Sequence, residues 1–277
     1  MANIYNVNGN IIPINGSGSS GSAPSTEFVN VVKGIAHKGF SSVAPENTLP
    51  AYKLAKSNGF FYVETDIQYT SDGVAVCLHD GTIDATSNGT GKIWEMTFDQ
   101  VRQYDFGSWK SATYAGTQIP SFEEFIRLCR DIVLHPYIEL KAAGTTEAQA
   151  KALVDMVDAV GMKDKVTWIS FYYAKLAYIV DYDAKSRIGV LANALTTENS
   201  STYLATVQGL LTGQNEVFID TSSITNEAAN ICKDAGIPME VWTTDSTSTI
   251  INADPYITGF TSNSLNAQVV LYNAAMS

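Results

Sequence analysis

VVKGIAHKGFSSVAPENTLPAYKLAKSNGFFYVETD, residues 31–66, reads as a strand, a helix and a second strand in succession. Val31–Ala36 is a short apolar run of the length a buried strand needs. Thr48 can open a helix that runs to Asn58, with Pro50 tolerated in its first turn. Phe61–Asp66 is the next strand. A strand–helix–strand unit implies parallel strands joined by a right-handed crossover.

The same alternation continues to the end of the chain. Further strands are expected at Tyr137–Leu140, Val166–Ser170, Arg187–Leu191, Val217–Asp220, Pro238–Trp242 and Tyr256–Gly259, with an extra extended piece at Val74–Leu78. Helices are expected at Phe122–Asp131, Glu147–Val160, Tyr173–Asp183, Tyr203–Leu211, Asn226–Ala235, Thr247–Asn252 and Leu265–Ala274. In the second of these, Ala150, Leu153, Val154, Val157 and Val160 form a helical stripe. Eight strand–helix units in about 250 residues favour a closed α/β barrel, the TIM (β/α)8 fold, over an open sheet. The expected division is residues 31–277 for the barrel and 1–30 for an extension.

That extension differs in composition. Ile4–Val7, the turn Asn8-Gly9 and Ile11–Ile14 suggest a short β-hairpin. GSGSSGS, residues 16–22, has linker composition. Residues 1–30 are therefore either a leader or a docking arm for an oligomer or larger assembly.

The 277 residues are 45% hydrophobic and 16% charged, enough apolar content for a large core. The formal charge of −11 argues against a nucleic-acid partner, which demands a Lys/Arg excess. A small anionic substrate remains compatible, because a metal or a few cations reverse the field within one cleft. Cys77, Cys129 and Cys232 are far apart and sit in apolar runs, so reduced, buried thiols are expected. No apolar run reaches the length of a membrane span. The N-terminus lacks a basic region followed by an apolar one, so no secretory signal is expected in the sequence as given. That fits a cytoplasmic protein or an extracellular one within a larger assembly.

In such a barrel the chemistry lies at the C-terminal ends of the strands. His37 follows the first strand, Glu64 and Asp66 end the second, and Glu139 and Lys141 end the third. Residues two apart on a strand share a face, so each of the last two pairs points together. Three converging carboxylates would repel one another unless a cation joined them, and an all-oxygen set suits Mg²⁺ or Ca²⁺ better than zinc. His79 is the second imidazole of the region. His135, at the opposite end of the third strand, reads as structural.

The ordered set His37-Lys38-Gly39, Ala44-Pro45-Glu46-Asn47-Thr48, Glu64-Thr65-Asp66, Asp72-Gly73-Val74, His79-Asp80, Ile119-Pro120 and Glu139-Leu140-Lys141 resembles the glycerophosphodiester phosphodiesterase family. Ser170-Phe171 and Val241-Trp242-Thr243 match it more loosely. The resemblance implies a TIM barrel that hydrolyses glycerophosphodiesters to sn-glycerol 3-phosphate and an alcohol. It implies one divalent cation, Mg²⁺ or Ca²⁺, on Glu64, Asp66 and Glu139, and acid–base work by His37 and His79. The sequence leaves their division open; His37 as acid and His79 as base is the working assignment. Lys141 and Lys38 would contact the phosphate, while Phe171 and Trp242 would wall the glycerol or alcohol side. Lys38 stands where the family usually has arginine, which exchanges a planar fork for a point charge. The stretch 257–263 lacks the family's usual aspartate after the last strand. Two other readings carry different expectations: a poly(glycerol phosphate) or teichoic-acid hydrolase mounted on a surface or phage structure, and a non-catalytic binding barrel.

Overall fold

The computed structural model describes residues 4–5, 11–12, 32–254 and 256–276. Eight strands run parallel and close into a barrel. They are β1 Lys33–Ala36, β2 Tyr62–Tyr69, β3 His135–Leu140, β4 Thr167–Ser170, β5 Arg187–Ala192, β6 Val217–Thr221, β7 Met239–Val241 and β8 Ile257–Ser262. Neighbours in sequence are neighbours in the sheet, and β8 pairs back onto β1. One helix follows each strand: α1 Leu49–Ser57, α2 Phe122–Ile132, α3 Glu147–Ala159, α4 Tyr173–Tyr182, α5 Thr197–Leu210, α6 Asn226–Asp234, α7 Thr247–Ile251 and α8 Ala267–Met276. The (β/α)8 barrel expected from the alternation is the observed fold.

Both faces of the strands are buried, which is why they read as apolar runs. Ile35, Tyr137, Ile169, Leu191 and Phe218 fill the barrel interior. Val63, Ile67, Ile138, Trp168, Ile188 and Ile219 face outward into the layer shared with the helices. The interior also holds a charge. Glu240 is fully buried and takes Lys33 at 3.0 Å, Arg187 at 2.9 Å and the Tyr137 hydroxyl at 3.1 Å. A buried carboxylate is tolerable only with such partners. Gly259 makes the room, because a Cβ there would lie 2.8 Å from the Glu240 carboxyl carbon.

Helix starts follow local chemistry. Ser121 Oγ accepts from the Glu124 amide while the Glu124 carboxylate accepts from the Ser121 amide, a complete capping box at α2. Thr146 and Gln149 repeat it at α3. Thr48 does not cap α1 as its position suggests; its hydroxyl donates instead to the Pro45 carbonyl at 2.5 Å. Helix α5 begins at Thr197 rather than near Tyr203, because Asn199 accepts from the Thr196 amide and secures a start two turns earlier.

Between β2 and α2 the chain makes an excursion. Ala75–Cys77 pairs antiparallel with Ile67–Tyr69, and three short helical turns follow before Ser121. Val76, Leu78, Ile83, Ile93, Val101, Phe106 and Ile119 form a separate small core there. At the N-terminus, Ile4 pairs antiparallel with Ile12 and Tyr5 with Ile11; the turn expected at Asn8-Gly9 lies outside the described residues. The Gly/Ser run 16–22 lies outside the described residues. Cys77, Cys129 and Cys232 are buried and unbridged. Among the described residues no helix is long and apolar enough to cross a membrane.

Candidate active site

The mouth of the barrel at the C-terminal ends of the strands encloses a cavity of about 260 Å³. His37, Glu64, His79, Glu139, Lys141, Phe171 and Trp242 line it, with Asp220 and several residues of the far wall. Sheet register assembles the acidic part. Asp66 on β2 lies directly beside Glu139 on β3, and Glu64 sits two residues earlier on the same face. One carboxylate oxygen from each of Glu64, Asp66 and Glu139 falls within 4.8 Å of the others.

Two of the three carboxylates, Glu64 and Asp66, are held from behind. Glu64 Oε2 accepts from the Lys38 amide at 2.9 Å, while Glu64 Oε1 is buried without a hydrogen-bond partner. That amide is aimed by a tight turn in which Lys38 and Gly39 both take positive φ, 55° and 81°. A Cβ on Gly39 would meet Ala51 at 2.6 Å. Asp66 Oδ2 accepts from Asn47 Nδ2 at 2.8 Å. Asn47 Oδ1 in turn accepts from Thr65 Oγ1 at 3.0 Å and the Tyr52 hydroxyl at 3.3 Å.

The electrostatics are those of a cluster short of positive charge. Burial, and next the neighbouring Asp66, push Glu139 up to about 8. Burial and then Asp66 and Glu139 also raise Glu64 well above the carboxylate range. For Asp66 burial works the other way from the outcome: His79, Lys38, Lys141 and the Asn47 hydrogen bond together hold it below its ordinary value. Lys141 lies 3.2 Å from Glu139 and 3.7 Å from Asp66; burial opposes its charge, but the two carboxylates outweigh that and raise it. An orphaned buried oxygen, three convergent hard donors and two carboxyls raised by burial and mutual repulsion make the donor set of a divalent-cation site. The residues present fit such an ion.

The two imidazoles are fixed through Nδ1. The Asn263 side chain is oriented by Nδ2 donating to Asp245 at 2.8 Å, so its Oδ1 faces His37 and accepts from Nδ1 at 2.8 Å. Ser41 Oγ donates to the same oxygen. His79 Nδ1 donates to the Asp80 carboxylate at 2.8 Å. Gln68 on β2 holds the His79 carbonyl at 3.0 Å and so ties the antiparallel return to the barrel. Burial, and then the Lys38 charge, keep His37 below the usual imidazole range.

Of the residues singled out in the sequence, Asp66 lies buried beside Glu139 just behind the cavity lining, and Lys38 is turned away from it. Its ammonium pairs with Glu46 at 3.1 Å and does not line the cavity; its amide is what reaches the site. Phe171 and Trp242 stand edge to face, 5.7 Å between centroids, in the cavity wall. His135 lies at the far end of the barrel against Tyr62. Sequence reasoning missed the supporting roles of Asn47, Asp245 and Asn263, and it missed Asp220. Asn47 and Asn263 lay inside stretches already singled out, but nothing in the letters says that one amide orients a carboxylate and the other an imidazole.

The chain is similar to several known proteins. It is 37% identical to human (Homo sapiens) glycerophosphodiester phosphodiesterase 1 over 128 residues, 45% of this chain and 39% of that protein. It is 31% identical to a glycerophosphodiester phosphodiesterase of Caldanaerobacter subterraneus over 169 residues, 57% of this chain and 65% of that one. The matches thus span less than two thirds of these relatives. Among solved structures, a phosphodiesterase of Oleispira antarctica in complex with the product sn-glycerol-3-phosphate superposes with a TM-score of 0.77 at 25% identity, covering 89% of this chain and 97% of that one. Residues 37–261, from the first imidazole of the site to the last barrel strand, match the model of the glycerophosphoryl diester phosphodiesterase family, and with most of its length so matched the chain belongs to that family.

Proposed function

We propose that this barrel hydrolyses glycerophosphodiesters to sn-glycerol 3-phosphate and an alcohol. The observation that carries the reading is the convergence in one cavity of two Nδ1-anchored imidazoles, a carboxylate triad and Lys141. Glu64, Asp66 and Glu139 would hold one Mg²⁺ or Ca²⁺, which would supply positive charge against the phosphate oxygens as they gain charge. Lys141 binds the phosphate beside the triad. Lys38 contributes through its amide, which positions Glu64, and through its positive field.

His37 takes the role of base in the first step, since burial disfavours its charged form. Its Nε2 takes the proton of the glycerol hydroxyl vicinal to the phosphoester, and that oxygen attacks phosphorus. His79, steadied by Asp80, gives a proton to the departing alcohol oxygen. A cyclic phosphate results. In the second step the roles reverse: His79 takes a proton from water, and His37 returns its proton to the glycerol oxygen as the ring opens. This division inverts the working assignment from the sequence, and the reason is burial of His37, a tertiary property. A non-catalytic barrel is the weaker reading, because nothing in such a module would keep these groups converged at the cost of mutual repulsion.

The test is release of sn-glycerol 3-phosphate from glycerophosphocholine by the full chain. Activity is expected with Mg²⁺ or Ca²⁺, loss with chelator, and recovery on adding the ion back. Full turnover by metal-stripped protein would remove the triad's role, and no turnover of any glycerophosphodiester under any metal would remove the reading itself.

A further inference from the structure

One carboxyl in the cavity has no part in the chemistry above. Asp220 lies on β6, is 2% exposed, and its Oδ1 is buried without a hydrogen-bond partner. Its side chain shares the barrel-interior face with Phe218, two residues before it. The cations nearest in the fold are already taken, because Lys33 and Arg187 both pair with Glu240 on the adjacent strand. Around it the wall is apolar: Ile169, Phe171, Leu191 and Trp242. An unpartnered buried polar group is destabilising, a cost that a ligand hydroxyl would offset.

The chemistry of the substrate supplies that hydroxyl. A glycerophosphodiester has one glycerol oxygen esterified, a vicinal one that attacks, and a terminal one left over. A phosphate bound at Lys141 on the β3 side would leave room in the same cavity for the rest of the glycerol to reach β6. We propose that Asp220 is a specificity-determining residue whose carboxyl hydrogen-bonds the terminal hydroxyl of the glycerol. This inference rests on the function proposed above. Burial, and next the Glu240 carboxylate, push Asp220 well above the carboxylate range, which favours the protonated carboxyl, able both to donate and to accept. A site built to bond a hydroxyl rejects an analogue that lacks it far more strongly than an apolar pocket discriminates by shape.

The experiment compares kcat/KM for a glycerophosphodiester and for the matching propane-1,2-diol phosphodiester, which keeps the attacking hydroxyl and lacks the terminal one. Wild-type protein is expected to prefer the glycerol substrate by roughly 10²-fold or more. Asp220→Ala should collapse that ratio to below about tenfold, by losing activity mainly on the glycerol substrate. Asp220→Asn, which still offers a donor and an acceptor in the same volume, should keep most of the preference and serves if the alanine variant does not fold. Equal use of both substrates by wild type overturns the proposal, as does an Asp220→Ala variant that loses activity on both in the same proportion. Wild type that cleaves neither substrate overturns the underlying function too, so the two failures are distinct.

Discussion

The Asn47 amide meets Asp66 through both its ends: Nδ2 donates to the carboxylate at 2.8 Å, and Oδ1 accepts from the Asp66 main-chain amide at 3.3 Å. Asn47 is 3% exposed and itself takes a positive φ of 55°, a conformation asparagine tolerates better than most side chains. Asn47→Ala would take the donor from Asp66 Oδ2 and leave the Thr65 and Tyr52 hydroxyls with only each other, 2.7 Å apart. The expected loss is about 2–4 kcal/mol of folding stability by urea denaturation, with weaker metal binding by calorimetry. An unchanged denaturation midpoint would show that the network is dispensable. The imidazoles give a second residue-scale expectation. His79→Ala and His37→Ala should each lower kcat by roughly 10²–10⁴-fold with the circular dichroism spectrum retained. Turnover near wild type in either variant would remove that residue from proton transfer.

At the level of elements, the barrel strands carry the chemistry and the helices carry much of the stability. The Ser121–Glu124 box at α2 is local and far from the triad's own bonds, so Ser121→Ala is expected to cost about 1 kcal/mol without altering kcat. A lower Tm with unchanged kinetics is the predicted pair of readings; a fall in kcat would tie α2 to the site. Strand register matters more. Asp66 meets Glu139 only because β2 and β3 pair in parallel with Tyr62 opposite His135. The antiparallel piece Ala75–Cys77 then folds back over the end of β2 and delivers His79 to the same cavity. The short turns between it and α2 gave no helical or strand period to read, since each is only three or four residues long.

Taken as a whole, the molecule couples its stability to pH through the acidic centre. Without metal, Glu139 is held near 8 against an ordinary value of 4.5, and Glu64 is raised as well. The unfolded chain therefore releases these protons first. The stability they contribute is fully present below about 4.5 and is lost as pH rises toward 8. A bound cation replaces the protons and removes that loss. The difference in Tm between metal-loaded and chelator-treated protein should thus widen from pH 5 to pH 8, by the equivalent of roughly a few kcal/mol. A constant difference across that range would contradict the assignment of the triad as a cation site. The sequence by itself determined the alternation of strands and helices, hence the barrel, and the ordered motifs that place its acids, imidazoles and Lys141 at strand ends. It could do so because periodicity and strand-end position are local properties of the chain. Only the tertiary structure decided that Lys38 turns its ammonium to Glu46, that His37 sits half-buried in the cavity wall, and that Asp220 Oδ1 lies there without a hydrogen-bond partner. Those facts depend on which residues from distant strands become neighbours and on how much water they exclude, and neither quantity is written in the order of the letters.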